Sequence, residues 1–257
     1  PLPRRPLPAE LAPLADALDD TLARVAAAIE NERRFAADAA HELRTPLAAL
    51  KVQAQVATRA PDDASRRHAL DQVAGGVTRM THLVEQLLTL ARLDPELARA
   101  ATDAQSCDAE PVAAEVCAAR IPAADANGQT LELAATGPCL LPLPAAWVAS
   151  LVGNLVDNAL RYAGPGATVR VRFYRDASGC ALRVEDDGVG VPAAERARLV
   201  GRFARGDSAH ATQGCGLGLS IVARIAEASG GSFHLGDGLA RADGGYGLAA
   251  EVRWARR

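Results

Sequence analysis

Aromatic residues are scarce: four Phe, three Tyr and two Trp make up 4% of 257 residues. A core built almost without them relies on Ala, Leu and Val, which suits helices packed closely through small side chains. Lys51 is the only lysine, so nearly all positive charge is arginine. An excess of one sign is also lacking. With 28 basic and 31 acidic residues the formal charge is −3, which excludes a protein held to nucleic acid by bulk charge. The five cysteines (Cys107, Cys117, Cys139, Cys180, Cys215) are odd in number, widely spaced and without a CxxC pair. Neither a disulfide framework nor a zinc site follows, and a reducing compartment is the simpler expectation. Long apolar runs are missing. The most apolar one, Leu140 to Val152, is interrupted by Pro142 and Pro144 and is too short to span a bilayer. There is no signal peptide, and the chain begins with Pro1 rather than Met, so the expectation is a fragment of something longer.

Enough apolar residues are present, at 49%, to build a core, and the length favours two domains over one. Residues 1–12 are proline-rich and read as a linker. From Leu14 to Leu93 two long amphipathic stretches are expected, separated at Ala60-Pro61-Asp62-Asp63, a helix stop followed by acidic N-cap candidates. The second stretch carries Leu70, Val73, Val77, Met80, Val84, Leu87 and Leu88 at steps of three and four. Such a hairpin buries one face, so a second copy is implied, completing a dimeric four-helix bundle. After Asp94-Pro95 strand-like runs appear at Thr130–Ala134, Thr168–Arg175, Cys180–Glu185 and Leu248–Trp254, between helical stretches and glycine-rich loops. That pattern predicts a second domain mixing helices and sheet.

The first informative segment is Phe35 to Leu47. At about 100° per residue, Phe35, Ala39, Leu43, Pro46, Leu47 and Leu50 fall within roughly 120° of one another. His41 points to the opposite side, with Thr45 one turn beyond it and Glu42 at its flank. Pro46 removes a backbone bond and is expected to kink the helix one turn after His41. An exposed imidazole beside a carboxylate is a competent nucleophile at neutral pH.

Three further segments follow in order. On a helix, Asn154, Asn158 and Arg161 share one edge, with Leu151, Leu155 and Ala159 on the neighbouring core side. Amide oxygens suit Mg²⁺ that a triphosphate already partly neutralises. Next, Glu185-Asp186-Asp187-Gly188-Val189-Gly190 ends a strand in a carboxylate and a glycine turn, where Asp186 can accept from the exocyclic amine of a purine. Last, Gly214-Cys215-Gly216-Leu217-Gly218 opens a helix running to about Ser229, whose free N–H groups can bind phosphate. It lacks the Gly-Lys-Ser/Thr ending of a P-loop. Between the last two lies Phe203-Ala204-Arg205-Gly206-Asp207-Ser208, polar and small enough for a lid.

Together these residues closely resemble the cytoplasmic half of a bacterial two-component sensor histidine kinase. Residues 1–30 resemble the end of a HAMP-type signalling linker, residues 31–95 the dimerisation and phosphoacceptor domain, and 105–257, after a linker at 96–104, the catalytic ATP-binding domain. The wording around His41 is nearest to the quorum-sensing and polymyxin-resistance subgroup. The resemblance implies an all-α hairpin followed by an α/β sandwich of the gyrase, Hsp90, histidine kinase and MutL type. It implies ATP and Mg²⁺, with Asn158 and Asn154 as metal ligands. Asp186 would read adenine, and Arg161, Tyr162, Gly188, Gly190, Phe203, Arg205, Gly214, Gly216, Leu217 and Gly218 would line the nucleotide. His41 would be phosphorylated with Glu42 as base, and Thr45 would serve dephosphorylation of the partner. The implied partners are a second copy and the receiver domain of a response regulator, of the winged-helix transcription-factor kind, with no direct nucleic-acid binding. The whole protein would be membrane-anchored, with this part on the cytoplasmic face of the bacterial inner membrane. Cys215 stands where the family usually has Thr, and Pro122 interrupts the expected first helix of the catalytic domain. Two rivals stand beside this reading. One is an ATPase of the same superfold, whose relatives carry glutamate at the position of Asn154. The other is a non-catalytic relay module.

Overall fold

The computed structural model describes residues 12–92, 106–135, 139–200 and 217–255. The chain divides into two compact units, Pro1–Leu83 and Val84–Arg257. The first is helical. α1 (Ala12–Arg59) holds 48 residues, about 72 Å at 1.5 Å per residue, and α2 (Asp63–Arg92) holds 30, running past the division after Leu83. α1 continues through Pro46 without a break, although the proline has no N–H to give the carbonyl of Glu42. The stop at Pro61 is sealed by Asp62. Its Oδ1 accepts from the Ser65 N–H at 2.7 Å and its Oδ2 from the Ser65 hydroxyl at 3.0 Å. These bonds hold the Asp62 carboxyl below its ordinary range.

The apolar stripe expected on α2 resolves into two parallel lines. Ala69, Val73, Gly76, Met80, Leu83 and Leu87 are buried or half-buried, at alternating steps of four and three. Leu70, Val77, Val84 and Leu88, one position round, stay 39–52% exposed. On α1 the covered line is Ala39, Leu43, Pro46, Leu50, Gln53 and Ala57, close to the arc expected from sequence. Leu47 belongs to that arc but is exposed at its rim, and Leu14, Leu18, Leu22, Val25 and Ile29 form another exposed line upstream.

The second unit is a sheet domain. In chain order it contains β1 (Cys107–Asp108), α3 (Ala109–Ala118), α4 (Ile121–Ala126), β2 (Thr130–Ala135), β3 (Leu140–Leu141), α5 (Ala145–Tyr162), β4 (Thr168–Asp176), β5 (Gly179–Asp186), α6 (Ala193–Leu199), α7 (Gly218–Ala228), β6 (Gly231–Ala240) and β7 (Tyr246–Ala255). The main sheet runs β2-β4-β5-β7-β6. Only β2 and β4 are parallel, while β1 and β3 pair separately. α3, α5 and α7 cover one face, with α5 in the middle. Into it point Val169, Val171 and Phe173 of β4, Leu182 and Val184 of β5, and Val252 and Trp254 of β7, all buried.

The opposite face has no helices among the described residues and is closed by ion pairs. Glu185 is buried between Arg183 (2.8 Å) and Arg172 (3.3 Å), and Glu251 accepts from the Tyr174 hydroxyl at 2.6 Å. The guanidinium carbons of Arg253 and Arg172 lie 5.5 and 5.9 Å from the Tyr174 ring centre.

The structure corrects three details. Pro122 does not interrupt one helix but sits in the first turn of a second, α4, where its missing N–H costs nothing. β6 is a full ten-residue strand that the strand-like runs did not include, because Gly231, Gly236 and Gly238 dilute its alternation. The short helix α6 was also not expected.

Candidate functional site

α5 is where the site begins. Pro144 sits extended at its N-cap, and Val148, Leu151, Val152, Leu155, Val156 and Ala159 bury one side, which fixes the rotation of the helix. Asn154 is 8% exposed. Its Nδ2 donates to the Ser150 carbonyl at 2.8 Å, and its Oδ1 lies 3.3 Å from where a Cβ on Gly218 would stand. Glycine there lets the start of α7 close onto Asn154. One turn on, Asn158 is half-buried and makes no hydrogen bond among the described residues, so its amide is uncommitted. Arg161 is exposed without an ion pair among those residues, and Tyr162 is half-buried.

On the neighbouring edge of α5, Asp157 is gripped by Arg120. Nε donates to Oδ1 at 2.6 Å, one terminal nitrogen to Oδ2 at 2.9 Å, and the other to the Val116 carbonyl at 3.0 Å. A Cβ at Gly153 would stand 2.9 Å from that guanidinium, so Gly153 is the slot the arginine passes over. Sequence reading missed both Arg120 and Asp157.

Asp186 ends β5 and is 6% exposed. Its Oδ1 accepts from the Gly188 N–H at 2.9 Å and from the Leu248 N–H at 3.2 Å. Burial raises its pKa, and the two backbone bonds pull against that. Oδ2 accepts no hydrogen bond among the described residues and is left for an outside donor. Glycines bring the backbone up to this carboxylate. A Cβ on Gly247 or Gly238 would overlap the Asp186 main chain, and one on Gly188 would overlap Ala163 at the end of α5. Gly190 takes a positive φ of 68° against the Tyr246 carbonyl. Gly238 and Gly247 were missed as site residues. Their only local signal was glycine density at Gly236-Asp-Gly238 and Gly244-Gly-Tyr-Gly247. Asp187 faces elsewhere and caps β4, with Oδ1 accepting from the Thr168 N–H at 2.7 Å.

The fold thus brings Asn154 to Gly218, and Gly188 to the end of α5, so the three segments read from sequence border one region. Leu217 is buried at the N-cap of α7. Phe203, Arg205, Gly214 and Gly216 lie outside the described residues. His41 and Glu42 are helical residues of α1, their side chains outside the described set, and Thr45 is exposed. Among the described residues no three His, Cys, Asp or Glu side chains converge on a metal position. A cation here would be held by neutral amides and by an anionic ligand. The uncommitted Asn158 amide fits that requirement.

Comparison with known proteins gives consistent findings. Residues 31–96 match the His Kinase A (phospho-acceptor) domain, and residues 145–252 match the histidine kinase-, DNA gyrase B- and HSP90-like ATPase family. The chain is 39% identical over 249 residues to Sensor protein kinase PmrB of Pseudomonas aeruginosa, covering 96% of this chain and 50% of the relative. It is 41% identical over 262 residues to Sensor protein QseC of Salmonella typhi, covering 99% of this chain and 54% of the relative. It therefore spans about half the length of these relatives. Among solved structures, the fold resembles the Acinetobacter baumannii histidine kinase AdeS, with a TM-score of 0.62, 23% identity, and coverage of 84% of this chain and 98% of that one. The mycobacterial sensor histidine kinase MprB aligns with a TM-score of 0.51 at 26% identity, over 60% of this chain and 97% of that one.

Proposed function

The chain belongs to the two-component sensor histidine kinases, and from that premise we propose that it transfers the γ-phosphoryl group of Mg-ATP to His41. From His41 the group passes to an aspartate on the receiver domain of a response regulator, of the winged-helix transcription-factor kind. The same protein also dephosphorylates that regulator. We assign residues 1–30 to the end of a signalling linker, 31–95 to dimerisation and phosphate acceptance, and 105–257 to ATP binding and catalysis. The whole protein is read as membrane-anchored with this portion in the cytoplasm. No helix among the described residues is long and apolar enough to cross a membrane.

The observation that carries the reading is the carboxylate of Asp186. One oxygen is pinned by two backbone N–H groups and the other accepts nothing among the described residues, in a wall that glycines keep open. Such an acceptor selects a donor on a planar base, which is what the exocyclic amine of adenine offers. Asn158, with Asn154 behind it, would hold Mg²⁺. When bound, the metal neutralises phosphate charge and orients the transferring group. Arg161, exposed and without an ion pair among the described residues, would meet phosphate, and Tyr162 would flank the nucleotide. The glycine-rich start of α7, with Gly214, Gly216, Leu217 and Gly218, presents backbone N–H groups to the phosphates. Phe203 and Arg205 are assigned to the segment that covers them. On α1, Glu42 is assigned to accept the proton from the far imidazole nitrogen, raising the nucleophilicity of the near one. Phosphoryl transfer needs little more of the protein than positioning and charge neutralisation.

An ATPase of the same fold needs a base for water. Asn154 is an amide whose nitrogen is already given to the Ser150 carbonyl, and it cannot take a proton. The exposed lines on α1 and α2 support a homodimer, because apolar rows of that length are not left in water. The test is incubation with labelled ATP followed by acid. Label retained at neutral pH and lost in acid is the expected outcome. Free phosphate without labelled protein would indicate an ATPase, and no turnover would indicate a relay.

A further inference from the structure

The turn between α4 and β2 reaches back to the end of α5 through a buried side chain. Gln129 is 5% exposed, and its Nε2 donates to the Leu160 carbonyl at 2.8 Å and to the Gly164 carbonyl at 2.9 Å. Leu160 lies in the last turn of α5, where carbonyls lack an intrahelical N–H, and Gly164 follows the helix end with a φ of 93°. One amide therefore serves two backbone acceptors on either side of Ala163. Its own Oε1 is buried and meets no donor among the described residues. An apolar side chain of that length would avoid the unmatched oxygen, but both carbonyls would lose their donor. Two backbone bonds join the same pieces, from the Gly166 N–H to the Asn127 carbonyl at 3.1 Å and from the Thr130 N–H to the Ala167 carbonyl at 2.9 Å.

Ala163, between those two carbonyls, is the surface on which Gly188 rests, since a Cβ on Gly188 would overlap its Cα. The Gly188 N–H in turn donates to Asp186 Oδ1 at 2.9 Å. Gln129 thus connects to Asp186 through the end of α5 and Gly188. Asn158 stands on the same closing turns of α5. We propose that Gln129 is a positioning residue of the nucleotide site, one that fixes the Asp186 carboxylate relative to the Asn158 edge by holding the end of α5. The proposal rests on the nucleotide site assigned above and deepens it. A carboxylate that reads a base works only when it is held within about 0.5 Å of its place. Gln129 donates to backbone alone, so its removal should loosen the end of α5 and the Gly188 turn while the strands of the core keep their pairing.

The experiment titrates the whole chain with Mg-ADP by calorimetry, as wild type, Gln129→Met, Asp186→Asn and the double variant. Gln129→Met should weaken binding by about tenfold, and by less than about threefold when Asp186 is already Asn. Wild-type affinity in Gln129→Met would overturn the proposal. So would an equal loss in both backgrounds, which is what a merely structural role gives. No binding by the wild type would overturn the nucleotide site itself, and this proposal with it. Hydrogen exchange reads the link without nucleotide: in Gln129→Met the Gly188 amide should exchange faster while that of Val171, in the sheet core, keeps its rate. Faster exchange at both would mean a structural role only, and overturn the proposal. A further measurement needs no variant and stands even if Gln129→Met fails to fold. In the wild-type NMR spectrum the Gln129 side-chain amide signals should shift when Mg-ADP is added, and unmoved signals would overturn the link.

Discussion

The two units satisfy their apolar residues in different ways. The sheet domain is closed by itself: α3, α5 and α7 cover one face, and arginine–carboxylate pairs finish the other. Among the described residues of the helical unit, one line on each helix is covered and a second is left in water. The difference teaches where each activity can reside. A nucleotide pocket needs a preorganised wall, which a closed domain supplies, whereas an acceptor histidine needs only a stiff, accessible rod that a second copy completes.

The sharpest way to break this comparison is to disable each unit in turn. His41→Gln should abolish acid-labile phosphorylation while leaving nucleotide affinity within about twofold, because the proposed nucleotide site lies in the other unit. Asn158→Ala should do the reverse, weakening Mg-ATP binding by about 10- to 100-fold as measured by calorimetry. Phosphorylation surviving in the His41 variant would remove His41 from its role.

Next in size is stability. Phe173→Ala, in the closed core, should cost about 3–5 kcal/mol by denaturant unfolding at any protein concentration. Val77→Ala, on the exposed line of α2, should cost under about 0.5 kcal/mol at high dilution. Its larger effect should appear as a weaker dimer in sedimentation. Equal, concentration-independent losses for both would mean that the helical unit is as self-contained as the sheet domain.

The Arg120–Asp157 fork tests how rigidly the sheet domain holds its site. Arg120→Ala or Asp157→Ala should each cost about 1–2 kcal/mol, and the double variant less than the sum. Fully additive losses in the double-mutant cycle would show that the two side chains are not coupled.

Smaller still is Asp186→Asn, which keeps the shape and removes a buried charge. Nucleotide-free protein should gain up to about 1 kcal/mol at neutral pH while adenine binding falls. The pH dependence has a definite sign. Burial raises the Asp186 pKa above 3.8 in the folded state, so the native chain binds the extra proton first. Lowering the pH from above the raised value toward 3.8 should therefore relieve the penalty in the wild type and shrink the gap to the variant. A gap that widens with acid would contradict the assignment.

The smallest structural effect belongs to Thr45→Ala. Thr45 is exposed, and alanine is the better helix former, so stability should change by less than about 0.5 kcal/mol. Autophosphorylation and transfer should persist while decay of the phosphorylated regulator slows by about tenfold or more, because the role proposed for the hydroxyl is to position the attacking water. Decay at the wild-type rate would make Thr45 a solvated surface residue.

Much of the fold was legible because periodicity is local. The seven-residue rhythm of α2, the alternation in β4, β5 and β7, and the stop at Pro61 each declare themselves within a few residues. β6 did not, since its glycines remove the side chains that carry the signal. Among the candidate site residues, Asn154, Asn158, Asp186 and the first glycines could be named from sequence because spacing on one helix or one turn is enough to single them out. Arg120, Gly238 and Gly247 were invisible, since each matters only through a residue on another element.

The sequence by itself determined the helix-then-sheet plan, the helix that carries His41 and the three segments that border one region of the sheet domain, through patterns written within single elements. The tertiary structure alone decided which line of each apolar stripe is covered, which oxygen of Asp186 is taken by backbone N–H groups, which glycines let the backbone reach it, and that Arg120 grips Asp157. The reason is physical. Helical and strand periods are properties of neighbouring residues, whereas burial, close backbone approach and long-range pairing arise only when separate elements pack.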